Sequence, residues 1–166
     1  MEQQTKRRLN SVPMLEKKPA TRTKILLADD SPAVLAGIKR LLDPEFEIVG
    51  SVADGLALLA AAKTLRPDVM IVDVMMPGLS GLEAVRRLKK LPRLGAIAII
   101  LTVFDDPSLA AEARAAGAMG YVVKSAADRD LVNAIHAGLA GRFYSSPTRK
   151  RVDRSAPRPA KSLHRR

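Results

Sequence analysis

Between residues 25 and 141, short apolar runs alternate five times with segments whose apolar residues recur at helical spacing. No other feature restricts the fold as tightly. Strand-helix alternation of this kind implies parallel strands joined by right-handed helical crossovers, with helices on both faces of the sheet. The expected fold is therefore α/β, a (βα)5 doubly wound parallel sheet of five strands. The runs are K-I-L-L-A-D-D, F-E-I-V-G-S-V, V-M-I-V-D, A-I-A-I-I-L-T and M-G-Y-V-V-K. Val69 to Val72 are apolar without a break, as in a strand buried on both faces.

The intervening segments carry helix signals. Ser31-Pro32 supplies an N-cap and a first helical residue, and Val34, Leu35, Ile38, Leu41 and Leu42 then fall on one face. Asp54 caps a second helix, with Leu58, Leu59, Ala62 and Leu65 inward. Ser80 and Glu83 form a capping-box pattern for a third. Asp106-Pro107 opens an alanine-rich fourth helix, whose small inward residues should pack least tightly. A fifth spans about 128–140, with Leu131, Val132, Ile135 and Leu139 on its buried face.

Charge divides the chain into three. The net +11 of the 166 residues is uneven. Residues 1–24 hold seven Lys/Arg against two Asp/Glu, and residues 142–166 hold nine against one. The 117 residues between them hold twelve against fourteen and are nearly neutral. The expected organisation is a basic disordered arm over 1–22, a domain over 23–141 and a basic disordered tail over 142–166. The chain has no Cys, which excludes thiolate metal sites, disulfides and cysteine nucleophiles and accords with a cytoplasmic protein. No apolar run approaches the roughly 20 residues that span a bilayer, so no membrane segment is expected.

The strand ends carry the chemistry. Strand one stops at Asp29 and Asp30, strand three at Asp73, strand four at Thr102 and strand five at Lys124. In a parallel sheet these ends share one edge, where ligands collect in open α/β folds. Three carboxylates crowded together call for a cation. Hard oxygen donors in small number suit Mg²⁺, which keeps several waters and bridges to phosphate. A lysine and a hydroxyl opposite suit a phosphoryl group. The chemistry that follows is phosphoryl transfer to a carboxylate, with Asp73 as nucleophile.

The ordered set L-L-A-D-D-S-P, I-V-D-V-M-M-P-G-L-S-G, I-I-L-T and G-Y-V-V-K-S resembles the receiver domain of two-component response regulators, a CheY/flavodoxin-like fold, over roughly residues 23–141. The V-V-K-S-A segment and the run through G-R-F-Y-S-S-P look most like the NarL/FixJ type. The resemblance implies that Asp73 is the phosphoacceptor and that Asp29, Asp30, Asp73 and the backbone carbonyl of Met75 hold Mg²⁺. It implies that Thr102 and Lys124 contact the phosphoryl group, and that Thr102 and Tyr121 form the switch. Ser125 stands where many receivers have proline. The usual C-terminal helix-turn-helix output domain is missing from the residues after Gly141.

The resemblance implies a sensor histidine kinase as phosphodonor and a downstream protein partner. It offers dimerisation through helices one and five, or through the face of helix four, strand five and helix five. No enzymatic activity is expected beyond self-phosphorylation and autodephosphorylation at Asp73. Two alternatives stand beside the receiver reading. One is a NarL/FixJ-type transcription regulator that reaches DNA through its basic tails or a partner. The other is a non-phosphorylated scaffold. The tails themselves read as solvated arms, as a source of non-specific, salt-dependent attraction to nucleic acid, or as an altered start or frame. His136 reads as a surface or packing residue. Asp29 and Asp30 have a blander reading as helix caps.

Overall fold

The computed structural model describes residues 21–147. In chain order these form β1 (Lys24–Ala28), α1 (Pro32–Leu42), β2 (Glu47–Val52), α2 (Gly55–Leu65), β3 (Val69–Val72), α3 (Gly81–Lys89), β4 (Ile97–Thr102), α4 (Pro107–Ala115), β5 (Gly120–Val123), a single 3-10 turn (Lys124–Ala126), α5 (Ala127–Leu139) and β6 (Tyr144–Ser145). All strand pairs are parallel, in the order β2-β1-β3-β4-β5-β6. The order reverses after β1, so β1 and β3 sit side by side at the centre with their C-terminal ends at the crevice where open α/β sheets bind ligands.

Side chains alternate across the sheet with the period of two that a strand imposes. Ile25, Leu27, Val69, Ile71, Ile99, Leu101 and Val122 face one way, where Ile38 and Leu42 of α1 and Leu131 and Ile135 of α5 cover them. Leu26, Met70, Val72, Ile100 and Tyr121 face the other way, against Leu58 of α2, Val85 and Leu88 of α3 and Ala113 of α4. The caps follow the sequence signals. Ser31, Asp54 and Ser80 accept from the backbone N–H of Val34, Ala57 and Glu83. At α3 the reciprocal half of the capping box is spent elsewhere: the Glu83 carboxylate pairs with Arg87 at 2.9 Å. Helix α4 buries Ala113 alone, in keeping with its small inward residues.

Three expectations are corrected. The sheet has six strands, not five, because Tyr144–Ser145 adds along the free edge of β5. A two-residue strand is too short to leave a hydrophobic period. The domain also runs past both expected boundaries. Arg22, placed in the N-terminal arm, donates to the carbonyls of Asp43, Glu45 and Phe46 beyond the end of α1. Residues 142–147, placed in the tail, close the far side: Arg114 lies 5.1 Å over the Phe143 ring, and Ser146 is buried. The rest of the arm and tail lies outside the described residues. Leu65 and Leu139, assigned to buried faces, are 37% and 45% exposed. Each is the last residue of its helix, so each stands at the rim of the packed layer.

Strand β6 is fastened by a buried acid. Ser146 Oγ donates to Asp130 Oδ2 at 2.7 Å and accepts from Val123 N at 3.2 Å. Arg129 Nε donates to Asp130 Oδ1 at 2.9 Å. The Arg129 guanidinium is the main cause that holds the Asp130 carboxyl below the usual range; burial opposes it, and hydrogen bonds from Ser146 and Tyr144 assist. A carboxyl with a depressed folded pKa contributes stability above the unfolded value of about 3.9, and loses it as pH falls through the folded value. Asp130→Asn is therefore expected to be less stable than wild type at pH 6, by about 1 kcal/mol. The gap should close on acidification below about pH 4. Urea midpoints measured across pH check this, and a gap that stays constant would deny Asp130 the role.

Candidate phosphoryl and metal site

The site is built from backbone terminations. Strands β1 and β3 pair through Ala28 and Val72, and Asp73 N then donates to the Ala28 carbonyl at 2.8 Å. That last rung leaves Asp29 and Asp73 side by side just beyond the strands. They are 4% and 5% exposed, while Asp30 is exposed. One carboxylate oxygen from each of the three lies within 4.8 Å of the others. The helix-cap reading of the acids fails at this point, because Ser31 caps α1. Asp29 Oδ1 instead accepts from Ser31 N at 2.9 Å.

Lys124 comes from the end of β5, two strands away from β3. Its Nζ lies 2.6 Å from Asp29 Oδ2 and 3.1 Å from Asp73 Oδ2. Burial pushes the Lys124 ammonium down, but hydrogen bonds and charge from the two carboxylates outweigh it and hold its pKa above the ordinary value. Asp73 has the reverse balance. Burial raises its carboxyl above the usual range against the pull of Lys124, Asp29 adds to the rise, and the Met75 N–H opposes it. The contact from Met75 to Asp73 is thus made by its backbone N–H, while its side chain is exposed.

Thr102 is fully buried at the end of β4, and its Oγ1 accepts from Phe104 N at 3.4 Å. Tyr121 points into the interior, and its hydroxyl donates to the Phe104 carbonyl at 2.6 Å. Burial, with the charge of Asp106 behind it, pushes the Tyr121 phenol up to about 12. The loop after β4 thus touches both Thr102 and Tyr121 through one residue, Phe104. His136 lies apart from this edge, paired with Glu45 at 2.6 Å.

The donor set fits a hard divalent cation. The ligand atoms are carboxylate oxygens. Asp29 Oδ2 is buried and already paired with the Lys124 ammonium at 2.6 Å. A cation among the three acids would add a second positive charge to a cluster in which one ammonium faces three carboxylates. Asp30, exposed beside two buried acids, leaves the solvent side open for water or a phosphate oxygen.

Sequence reasoning passed over two glycines that shape this edge. A Cβ on Gly81 would stand 1.9 Å from the Asp73 carbonyl oxygen and 2.9 Å from Val72 Cγ1. A Cβ on Gly55 would stand 2.3 Å from the Leu79 carbonyl oxygen in the same β3–α3 connection. The available signal was the glycine immediately after the Ser80 cap, where an ordinary helix former would do if nothing crowded it. Phe104 was also passed over, because it acts through its carbonyl and any residue type supplies one.

The model of the response regulator receiver domain family matches residues 25–136. Response regulator GacA of Pseudomonas aeruginosa is 39% identical over 127 residues, covering 75% of this chain and 58% of that protein. The nitrate/nitrite response regulator NarL of Escherichia coli is 33% identical over 135 residues, covering 80% and 61%. This chain thus spans about three fifths of the length of these relatives. Among solved structures, a LuxR-family two-component response regulator from Aurantimonas sp. superposes with TM-score 0.71 at 36% identity, covering 76% of this chain and 91% of that one. The isolated receiver domain of RcsB from Salmonella enterica, in the presence of the phosphomimetic BeF3-, gives TM-score 0.70 at 27% identity, covering 77% and 96%.

Proposed function

Given that this chain belongs to the response regulator receiver domain family, we propose that it accepts a phosphoryl group on Asp73 from a sensor histidine kinase, with Mg²⁺ held by Asp29, Asp30, Asp73 and the Met75 carbonyl. The observation that carries this is the meeting of three carboxylates and one ammonium at the C-terminal edge of β1, β3 and β5.

One oxygen of the Asp73 carboxylate forms the new bond to phosphorus. The bond from phosphorus to the donor's histidine nitrogen breaks, and the nitrogen keeps the electron pair. The product is an acyl phosphate. Lys124 already stands at 3.1 Å from the reacting carboxylate and supplies a positive charge to the incoming oxygens. Bound Mg²⁺ supplies charge neutralisation for the same oxygens. The buried Thr102 hydroxyl supplies a donor that no covalent step consumes. The chain turns over no external substrate in this reading; it gains and loses its own phosphoryl group.

Phosphorylation then biases a two-state element. Thr102 and Tyr121 both engage Phe104, so movement of Thr102 toward a phosphoryl oxygen disturbs the loop that holds the tyrosine hydroxyl. The affected surface comprises α4, β5 and α5, with β6 added along the β5 edge. That surface, or the face of α1 and α5, would carry a dimer contact or a downstream protein. Cytoplasmic action and regulation of transcription follow from the same reading, by similarity to relatives named as response regulators.

Intact mass after incubation with acetyl phosphate and Mg²⁺ tests the chemistry. One added phosphoryl group is expected on wild type, none on Asp73→Asn, and none when EDTA removes the metal. Equal labelling of Asp73→Asn would assign the acceptor elsewhere. No labelling of wild type would favour the scaffold reading.

A further inference from the structure

We propose that the end of the sheet opposite Asp73 carries a second binding site, for a phosphate-bearing small molecule of nucleotide size. A cleft of about 410 Å³ opens there between the C-terminal end of α2 and the connection from α3 to β4. Its volume lies within the range of small-molecule sites, about 300–1,000 Å³. Lys63, Arg66 and Arg93 line it, with Asp68 at its side and Pro67 and Leu94 as apolar wall. Asp68 precedes β3 and Asp73 follows it, so the two sites lie about 16 Å apart along extended chain.

Two independent observations point to an anionic ligand. First, the side chains of Lys63, Arg66 and Arg93 make no hydrogen bond or ion pair with any described residue. Lys89, at the same end, is engaged: its Nζ donates to the Ala96 carbonyl at 3.1 Å. Second, Arg66 and Arg93 have φ of +45° and +70°, and they are the only non-glycine residues with positive φ among the described residues. Arg66 is the left-handed C-cap of α2, a position glycine ordinarily takes because it lacks a Cβ. Backbone strain retained at two arginines that share one cleft marks them for what their side chains do.

The chemistry selects the ligand. Guanidinium groups bind phosphate oxygens in pairs, and two of them with an ammonium match a diphosphate. The proline and leucine wall suits the remainder of a nucleotide. Asp68 Oδ2 already accepts from Lys24 N at 2.8 Å, which fixes the carboxylate and leaves its other oxygen to accept from a sugar hydroxyl. A concave cleft admits a small molecule more readily than the convex surface of a duplex.

Titration calorimetry of the full chain tests this, with ADP, GDP, pyrophosphate and a random-sequence DNA duplex as probes at an ionic strength of about 0.15 M. The variant is Arg66→Gly with Arg93→Gly, which removes both charges and relieves both φ angles while leaving the basic tails in place. Saturable one-to-one binding of a nucleoside diphosphate is expected, tighter than that of pyrophosphate, and at least about tenfold weaker in the variant. The variant's Tm should equal or exceed that of wild type. The proposal is overturned by absence of saturable nucleotide binding, by equal affinity for pyrophosphate, or by unchanged affinity in the variant, which would place binding on the tails. Duplex binding lost in the variant without nucleotide binding overturns it in favour of nucleic acid. A fall in Tm overturns it in favour of a structural role for the arginines.

Discussion

Gly81→Ala is expected to lower the Tm by on the order of 10 °C and to reduce phosphoryl incorporation at Asp73 severely. The first residue of α3 lies directly against the Asp73 backbone, where an added Cβ would meet the carbonyl oxygen at 1.9 Å. No side-chain rotamer relieves that clash, because the obstructing atom is main chain. Either α3 moves away or the end of β3 is displaced. Gly81 N also donates to the Val74 carbonyl at 3.0 Å, so moving the helix breaks the turn that carries Met75. Overpacking of a close-packed site costs about 1–3 kcal/mol, and a backbone obstruction falls at the top of that range. For a domain of this size about 3 kcal/mol corresponds to the stated shift in Tm. Alanine is the better helix former, so intrinsic propensity acts in the opposite direction. Calorimetry and acetyl-phosphate labelling of the variant check the prediction. A variant as stable and as readily labelled as wild type would mean that α3 is free to shift.

Lys124→Met is expected to destabilise the protein by about 3 kcal/mol at neutral pH in the absence of divalent metal. The methionine keeps most of the volume of the stem and removes the charge, leaving Asp29 and Asp73 buried and adjacent without a cation. Breaking a buried pair by removing one partner costs more than the pair itself contributes, because the remaining charge stays desolvated. The pH dependence follows from the sign of the shifts. Asp73 already has a raised pKa from burial, and loss of Lys124, which holds it down, raises it further. A carboxyl with a raised folded pKa favours the folded state at low pH and opposes it once ionised. The deficit should thus be full at pH 7 and shrink as pH falls through the folded value toward about 3.9. Two rescues discriminate this account from a packing defect. Millimolar Mg²⁺ should restore much of the loss by taking the place of the ammonium charge. Asp73→Asn in the Lys124→Met background should restore part of it without metal. Chemical denaturation of wild type, Lys124→Met, Asp73→Asn and the double variant, with and without Mg²⁺, gives the comparison, and a deficit indifferent to pH, metal and Asp73→Asn would refute the electrostatic account.

The sequence by itself determined the fold class and which charged side chains gather at one edge of the sheet. Alternating apolar runs and helix-period segments demand a parallel sheet. In a parallel sheet every strand's last residue falls on one edge, so Asp29, Asp30, Asp73, Thr102 and Lys124 were legible as neighbours from their places in the chain. Helix caps were legible for the same reason: Ser31, Asp54 and Ser80 act on N–H groups three residues away, within reach of a local pattern.

Tertiary structure decided what depends on contact across the chain. Lys124 reaches Asp73 over a separation of 51 residues, and only the packing of β5 beside β4 sets it between two acids rather than in solvent. The crowding at Gly81 was hidden because glycine after a cap has many causes, and only the distance to Asp73 O selects one. Strand β6 was hidden because two residues carry no periodicity; Ser146 earns its burial from Asp130 and Val123, which belong to other elements. Arg66 and Arg93, 27 residues apart, share one cleft because α2 and the α3–β4 connection end on the same rim of the sheet. Local pattern is written in spacing along the chain, and spacing is blind to which side chains, once packed, are left with no partner.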